Sequence, residues 1–473
     1  MDAGADEQGA RQAFRVAADL VGRLGLVVVL GAIATIAITR LLGPTGYGSY
    51  ASAVATVSVL GAADLGFSLM LSRDAARSRA QQRPMLRAAY EVAVVWSAFL
   101  TLVLIVLAFS AGVSSDRGLV LLVLAPSMLF SGLNPARTFM VIARRTRLLV
   151  LIDVLVMVVQ VAASVLVAAE GLGPVAVGIS VSAGSIVNNL IIAAVVARLL
   201  EPGSGDRYSR RLLVRRTAPL GVAAILTQVY LTIDLVLLGW LITGPRLGEY
   251  AAAAKVVTVL AAISGTVMSG ALPTMSISAT RRAELEHLMV RVWHWLVVGP
   301  LPVFVALMLF AGPAVRLALG HRYDYAAPLL TILAGAGAVS VLNNLAVNLL
   351  VVFERNRALV IQNSVAIVFN VAGNLILIPR VGVVAAAWMT LATEVLVCGS
   401  MLVRLRGDLS LGRLVAVSGR PALALALSSA VAVALRGTPL LAVGAASLSF
   451  LALLSVLGGW PAEFRLPRWA SSG

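Results

Sequence analysis

Apolar runs fill this chain almost from end to end, and only short arginine-studded connections separate them. Fourteen such runs stand at about 24–42, 47–72, 88–112, 118–143, 148–169, 174–199, 217–242, 248–278, 292–312, 326–352, 359–378, 382–403, 421–435 and 438–458. About 18 or more apolar residues in a helix cross a hydrocarbon core of roughly 30 Å. Within lipid the backbone must satisfy its own hydrogen bonds, which leaves helices or closed barrels. The runs are continuous rather than alternating, so the pattern predicts an all-α polytopic membrane protein of about 14 transmembrane helices. Pro126, Pro135, Pro273 and Pro300 mark expected kinks. The thirteenth run is the shortest.

Composition agrees. Hydrophobic residues make up 60% of the chain and charged residues 12%, with a mean hydropathy of +0.97. Soluble domains are nearer a quarter charged. The net charge of +16 would suit nucleic acid in another chain, but here the arginines cluster between apolar runs. Alternate connections, with the two termini, hold 28 of the 37 basic residues, and the opposite set holds seven. That bias predicts cytoplasmic termini and cytoplasmic basic loops, resting against anionic headgroups. Residues 1–22 lack the architecture of a cleaved signal peptide, so the first helix is expected to stay as an anchor. Cys398 is the single cysteine and forms no internal disulfide. Trp240, Trp293, Trp295 and Trp460 lie near run ends, where interfacial anchoring is the common use.

The chain also repeats itself. Gly48-Ser49-Tyr50-Ala51-Ser52-Ala53-Val54 returns as Gly248-Glu249-Tyr250-Ala251-Ala252-Ala253-Ala254, and Leu172-Gly173-Pro174-Val175-Ala176 returns as Val381-Gly382-Val383-Val384-Ala385. Both echoes open even-numbered helices at the outer side. Helices one to six and seven to twelve therefore read as two parallel lobes of one orientation, a layout found in transporters that rock around a central site. The expected division is a cytoplasmic N-terminus (1–23), an N-lobe (24–200), a linker (201–216), a C-lobe (217–403), a two-helix appendage (404–458) and a cytoplasmic tail (459–473).

An ionisable group at the bilayer centre costs about 2.5–3.5 kcal/mol on insertion scales, so each one needs a reason. Lys255 and Asp234 stand at similar depths, about 10–12 Å from the outer ends of helices eight and seven at 1.5 Å per residue. They are placed to form a structural ion pair, or to leave the lysine for a ligand. Asp64, Arg137 and Asp153 share the inner half of the first lobe, and Asp153 is within reach of Arg137. Glu394, midway along helix twelve, is a candidate proton or cation site. Asn363, Asn370 and Asn374 form one polar stripe at spacings of seven and four, serving as packing glue or as a cavity wall. Arg23 and Arg73 sit near inner ends, where snorkelling to headgroups is the simplest use.

No constellation for catalysis or metal binding stands out. His287, His294 and His321 are scattered, and no Cys/His spacing suggests a metal. The longest outer loop, about 313–325, is thin for a catalytic site. No cofactor is expected.

The segment Arg40-Leu41-Leu42-Gly43-Pro44-Thr45-Gly46-Tyr47-Gly48-Ser49-Tyr50, followed by Ala63-Asp64-Leu65-Gly66-Phe67 and Ser72-Arg73, resembles the polysaccharide-biosynthesis flippases. These belong to the multidrug/oligosaccharidyl-lipid/polysaccharide (MOP) exporter superfamily. Gly248-Glu249-Tyr250 through Leu272-Pro273 is similar to that family's eighth helix. The resemblance implies a MATE-like fold and a bacterial inner-membrane location. It implies alternating-access flipping of an undecaprenyl-diphosphate-linked oligosaccharide to the outer leaflet, through a cavity that is often cationic. Lys255, Arg137, Arg23, Arg73 and the asparagine stripe then become substrate candidates. Asp234, Asp64, Asp153 and Glu394 become coupling or ion-pair candidates. Membrane lipids, a polysaccharide polymerase and glycosyltransferases are the implied partners. A lipid II flippase and an ion-coupled multidrug exporter remain alternatives. The exporter is disfavoured because helix one has no acid between Leu24 and Arg40.

Overall fold

The computed structural model describes residues 3–62, 79–199, 208–278, 281–407 and 411–460. Within them stand sixteen α-helices and no strand. They are α1 (Ala3–Gly61), α2 (Arg79–Ser110), α3 (Asp116–Phe130), α4 (Pro135–Ile142), α5 (Thr146–Ala169), α6 (Gly173–Leu199), α7 (Arg210–Leu241) and α8 (Pro245–Ile277). Then follow α9 (Arg282–Val298), α10 (Pro300–Leu309), α11 (Ala311–Leu319), α12 (Ala326–Val352), α13 (Asn356–Val381), α14 (Val383–Leu405), α15 (Leu411–Ala434) and α16 (Pro439–Val456). Eleven stretches among the described residues are long and apolar enough to cross a membrane. The other three expected spans, 24–42, 47–72 and 248–278, fall on α1 and α8, and residues 63–72 lie outside the described part.

Prolines and glycines divide the helices where backbone chemistry requires it. Gly43, at φ 66° and ψ 174°, breaks α1 into two helices, and Pro44 opens the second. Pro300 starts α10 after Gly299, and Pro135 starts α4 after a one-turn 3-10 segment at Ser131–Leu133. Proline lacks the N–H that a helix interior needs but fits its first turn. Pro126, by contrast, is carried inside α3. Two local expectations are corrected. The helix carrying the thirteenth span begins at Leu411, ten residues before the expected start, and the outer loop at 313–325 contains most of α11.

The internal repeat extends to backbone conformation. Gly173 and Gly382, matched in the second echo, have φ 78° and φ 77°. An L-residue pays roughly 1–2 kcal/mol in that region, so glycine is suited to both turns. Among the described residues, the two non-glycine residues with positive φ are also counterparts, Arg144 at 56° and Glu354 at 55°. Around them the N–H groups of Ala143, Arg144 and Arg145 bond to carbonyls four, three and five residues back, and those of Phe353, Glu354 and Arg355 do the same. This is one helix-stop motif used twice.

The chain forms two compact units. One comprises Met1–Ala32, Ala252–Asn370 and Val384–Gly473; the other comprises Ile33–Ala251 and Val371–Val383. In the second unit, Met85, Ala89, Phe139, Met140, Ile192 and Leu213 make a core near the arginine-rich helix ends. Leu100, Leu104, Val120, Leu121 and Met128 make another nearer the arginine-poor ends. There the two first-echo glycines meet: a Cβ on Gly48 would stand 2.7 Å from the Gly248 nitrogen. In the first unit, Val298, Ala424, Phe450 and Leu454 tie α9 to α15 and α16. Lipid-tail surroundings give little hydrophobic drive between helices, so close packing of small and shaped residues holds such cores together.

Candidate functional site

Three polar clusters cross these apolar packings. In the second unit, Arg137 Nη2 donates to both carboxylate oxygens of Asp153 at 2.7 Å. Asn188 Nδ2 donates to Asp153 Oδ1 at 3.0 Å. The 3-10 turn before Pro135 sets Arg137 on the short α4, facing α5 and α6. Arg137 and Asp153 are each about one third exposed, at 35% and 31%. A guanidinium and an amide on one carboxylate are charge-assisted donors that fix its position.

The second cluster centres on Asp234 of α7. Its Oδ1 accepts from Asn374 Nδ2 at 2.8 Å and its Oδ2 from Tyr250 Oη at 3.4 Å. Asn374 is fully buried. Lys255 belongs to the other compact unit; its side chain is exposed, and within that unit it makes no ion pair among the described residues.

The third cluster lies in the first unit and stitches α12, α13 and α14. Asn343 Nδ2 donates to Glu394 Oε2 at 2.7 Å and to the Glu394 carbonyl at 3.1 Å. Asn370 Nδ2 donates to Thr393 Oγ1 at 3.3 Å, and Ser400 Oγ donates to Gln362 Oε1 at 2.6 Å. Asn370 and Asn343 are buried, whereas Asn363 is half-buried. Arg23 lies on α1, and its side chain is outside what is described; Asp64 and Arg73 lie outside the described residues. Among the described residues no group of three or more His, Cys, Asp or Glu could hold a metal.

Sequence reasoning missed one contact. Arg117, at the start of α3, donates from Nη1 to the Gly239 carbonyl of α7, and its guanidinium lies 4.0 Å from the Trp240 ring centroid. Depth alone carried a signal, since both residues stand at arginine-poor helix ends. Hydropathy gives depth but not rotation, so nothing selected this pair.

The fold has known counterparts. A family profile described as polysaccharide biosynthesis protein matches residues 37–328. The chain belongs to this polysaccharide biosynthesis family. Lipid II flippase MurJ, in an inward closed conformation, superposes with a TM-score of 0.74 at 12% identity, covering 94% of this chain and 98% of its own. An inward-facing MATE multidrug transporter of the MOP superfamily gives 0.63 at 12%, covering 79% of this chain and 92% of its own. The MATE multidrug transporter DinF-BH gives 0.55 at 16%, covering 84% and 95%. The fold is therefore the MurJ- and MATE-like helical membrane fold. No curated protein matches the sequence.

Proposed function

We propose that this protein flips an oligosaccharide carried on undecaprenyl diphosphate from the cytoplasmic to the outer leaflet of a bacterial inner membrane, by alternating access of its two six-helix lobes. Family membership supplies the polysaccharide context. The observation that carries the substrate class is the disposition of the intramembrane charges. Asp153, Asp234 and Glu394 are each engaged by neighbouring side chains, while the Lys255 ammonium is exposed. An exposed cation in a low-dielectric setting favours a diphosphate and repels an organic cation. With no acid between Leu24 and Arg40, this argues against drug export. Lys255 is the headgroup contact in this reading. Arg23 and Arg73 draw the headgroup in from the cytoplasmic side, and Glu394 and Asp234 serve coupling. A polymerase and glycosyltransferases act on the same lipid-linked unit on either side of the flip.

The test is a flip assay in proteoliposomes containing undecaprenyl-diphosphate-linked oligosaccharide, with efflux of a cationic rhodamine dye run in parallel. The parent moves the lipid and not the dye. Lys255→Ala slows flipping by about tenfold, the worth of roughly 1.4 kcal/mol of headgroup binding, at unchanged melting temperature. Dye efflux without lipid movement would overturn the reading. Normal flipping by Lys255→Ala would remove Lys255 from it.

A further inference from the structure

The arginine-poor ends of four helix segments are pressed together within one compact unit. Gly48 meets Gly248, a Cβ on Gly239 would stand 2.6 Å from the Ser52 Cβ, and Ser52 is fully buried. Arg117 crosses this junction from α3 to α7, with one N–H on the Gly239 carbonyl and its Cζ 4.0 Å from the Trp240 ring centroid. These contacts join segments of the first repeat to segments of the second, so the junction must part if the two repeats are to open on this side.

Arg117 is incompletely satisfied where it lies. Its Nε and Nη2 are buried and have no hydrogen-bond partner among the described residues. A guanidinium presents five N–H donors, and Nε–H and Nη2–H lie side by side on one edge. That edge matches two oxygens of a phosphoryl group, a match an ammonium cannot make. Two buried donors without acceptors make the hold on Gly239 and Trp240 weaker than a fully met guanidinium would make it, so an anion can win it away. The closed junction thus holds a cation whose better partner is an anion, and it holds it on the side where the headgroup is to be released.

We propose that Arg117 bolts the outer closure in this state and exchanges Gly239 and Trp240 for phosphoryl oxygens of the headgroup as the outer ends part. The second half rests on the lipid-diphosphate reading above. Nothing in that reading requires a basic residue here; the contact to Trp240 and the unsatisfied edge do.

The experiment uses the full chain in proteoliposomes, with Cys398→Ser and Ser52→Cys as a reporter, labelled from outside by an impermeant maleimide. The Ser52 site is buried now and reacts only when the junction opens. Arg117→Ala is expected to label about tenfold faster, the equilibrium factor of one cation–π and hydrogen-bonded contact. Trp240→Ala should label faster too, by less, and a monodisperse elution profile certifies that each variant is folded. Undecaprenyl diphosphate in the vesicles speeds labelling of the parent but not of Arg117→Ala; neutral undecaprenol does nothing, and soluble inorganic diphosphate separates a lipid requirement from a free anion. Unchanged labelling in folded Arg117→Ala and Trp240→Ala overturns the bolt. Equal acceleration of parent and Arg117→Ala by the lipid overturns the exchange. Fast labelling of Arg117→Ala with a parent deaf to every diphosphate also overturns the exchange, and counts against the substrate reading while the bolt stands.

Discussion

Asp153 and Glu394 are both acids within membrane helices, one in each compact unit, and their neighbours treat them differently. Asp153 receives a guanidinium on both oxygens and an amide besides. Glu394 receives the Asn343 amide, whose own Oδ1 is buried without a partner among the described residues. A guanidinium only donates and is always charged, so it suits a carboxylate held in one place. An amide can donate or, turned over, accept, so it serves a carboxylate and a carboxylic acid alike. The first site meets a charged partner and the second a neutral one. On the proposed reading, this contrast favours Glu394 over Asp153 for coupling and Lys255 over Arg137 for the headgroup.

The comparison breaks most directly at Arg137. In Arg137→Ala the Asp153 carboxylate is stranded between α4, α5 and α6. Removing one partner of a buried pair costs about 3–5 kcal/mol; with the pair here a third exposed, the loss should fall near the lower end. Melting of the detergent-solubilised protein should drop sharply, and Arg137→Ala with Asp153→Ala should recover much of the loss. A stable Arg137→Ala protein that had lost transport would reverse the assignment and return Arg137 to the substrate.

Neutralising the acids sharpens the contrast. Asp153→Asn leaves the Arg137 charge without its counterion but keeps an acceptor for it, and should cost about 1–3 kcal/mol. Glu394→Gln keeps an acceptor for Asn343 and should cost less than about 1 kcal/mol. Its effect should appear elsewhere: flipping in proteoliposomes should lose its response to an imposed proton gradient. If the gradient response survives in Glu394→Gln and vanishes in Asp153→Asn, the roles are exchanged.

Depth was legible in the sequence and rotation was not. Each residue of a helix adds 1.5 Å of depth, so the level of Arg137 beside Asp153 could be computed from run boundaries. The same arithmetic put Lys255 and Asp234 at one level, but not the Asn374 and Tyr250 side chains that reach the Asp234 oxygens. Which neighbour a side chain faces depends on about 100° of turn per residue, settled by packing against several helices at once. The paired helix-stop at Arg144 and Glu354 was invisible for another reason: it is written in backbone angles, and the side chains differ. The early start of α15 escaped because Arg413 and Arg420 lower local hydropathy. Arg413 reaches Glu286 of α9 at 3.2 Å, so the helix continues while its charge leaves the apolar layer.

The smallest effect tests whether the asparagines are structural glue or cavity wall. Asn370 meets Thr393 at 3.3 Å and both are buried, whereas Asn363, on the same stripe of α13, is half-buried. Hydrogen bonds between membrane helices average about 0.6 kcal/mol. Asn370→Ala should therefore lower stability by about that amount and leave flipping unchanged, while Asn363→Ala should leave the melting temperature alone. A fall in flipping rate with Asn370→Ala at constant stability would mean that this buried asparagine meets the sugar in another state of the cycle. The α13–α14 contact would then have to open during transport, and the stitching that holds Glu394 beside Asn343 would be part of the moving machinery rather than its frame.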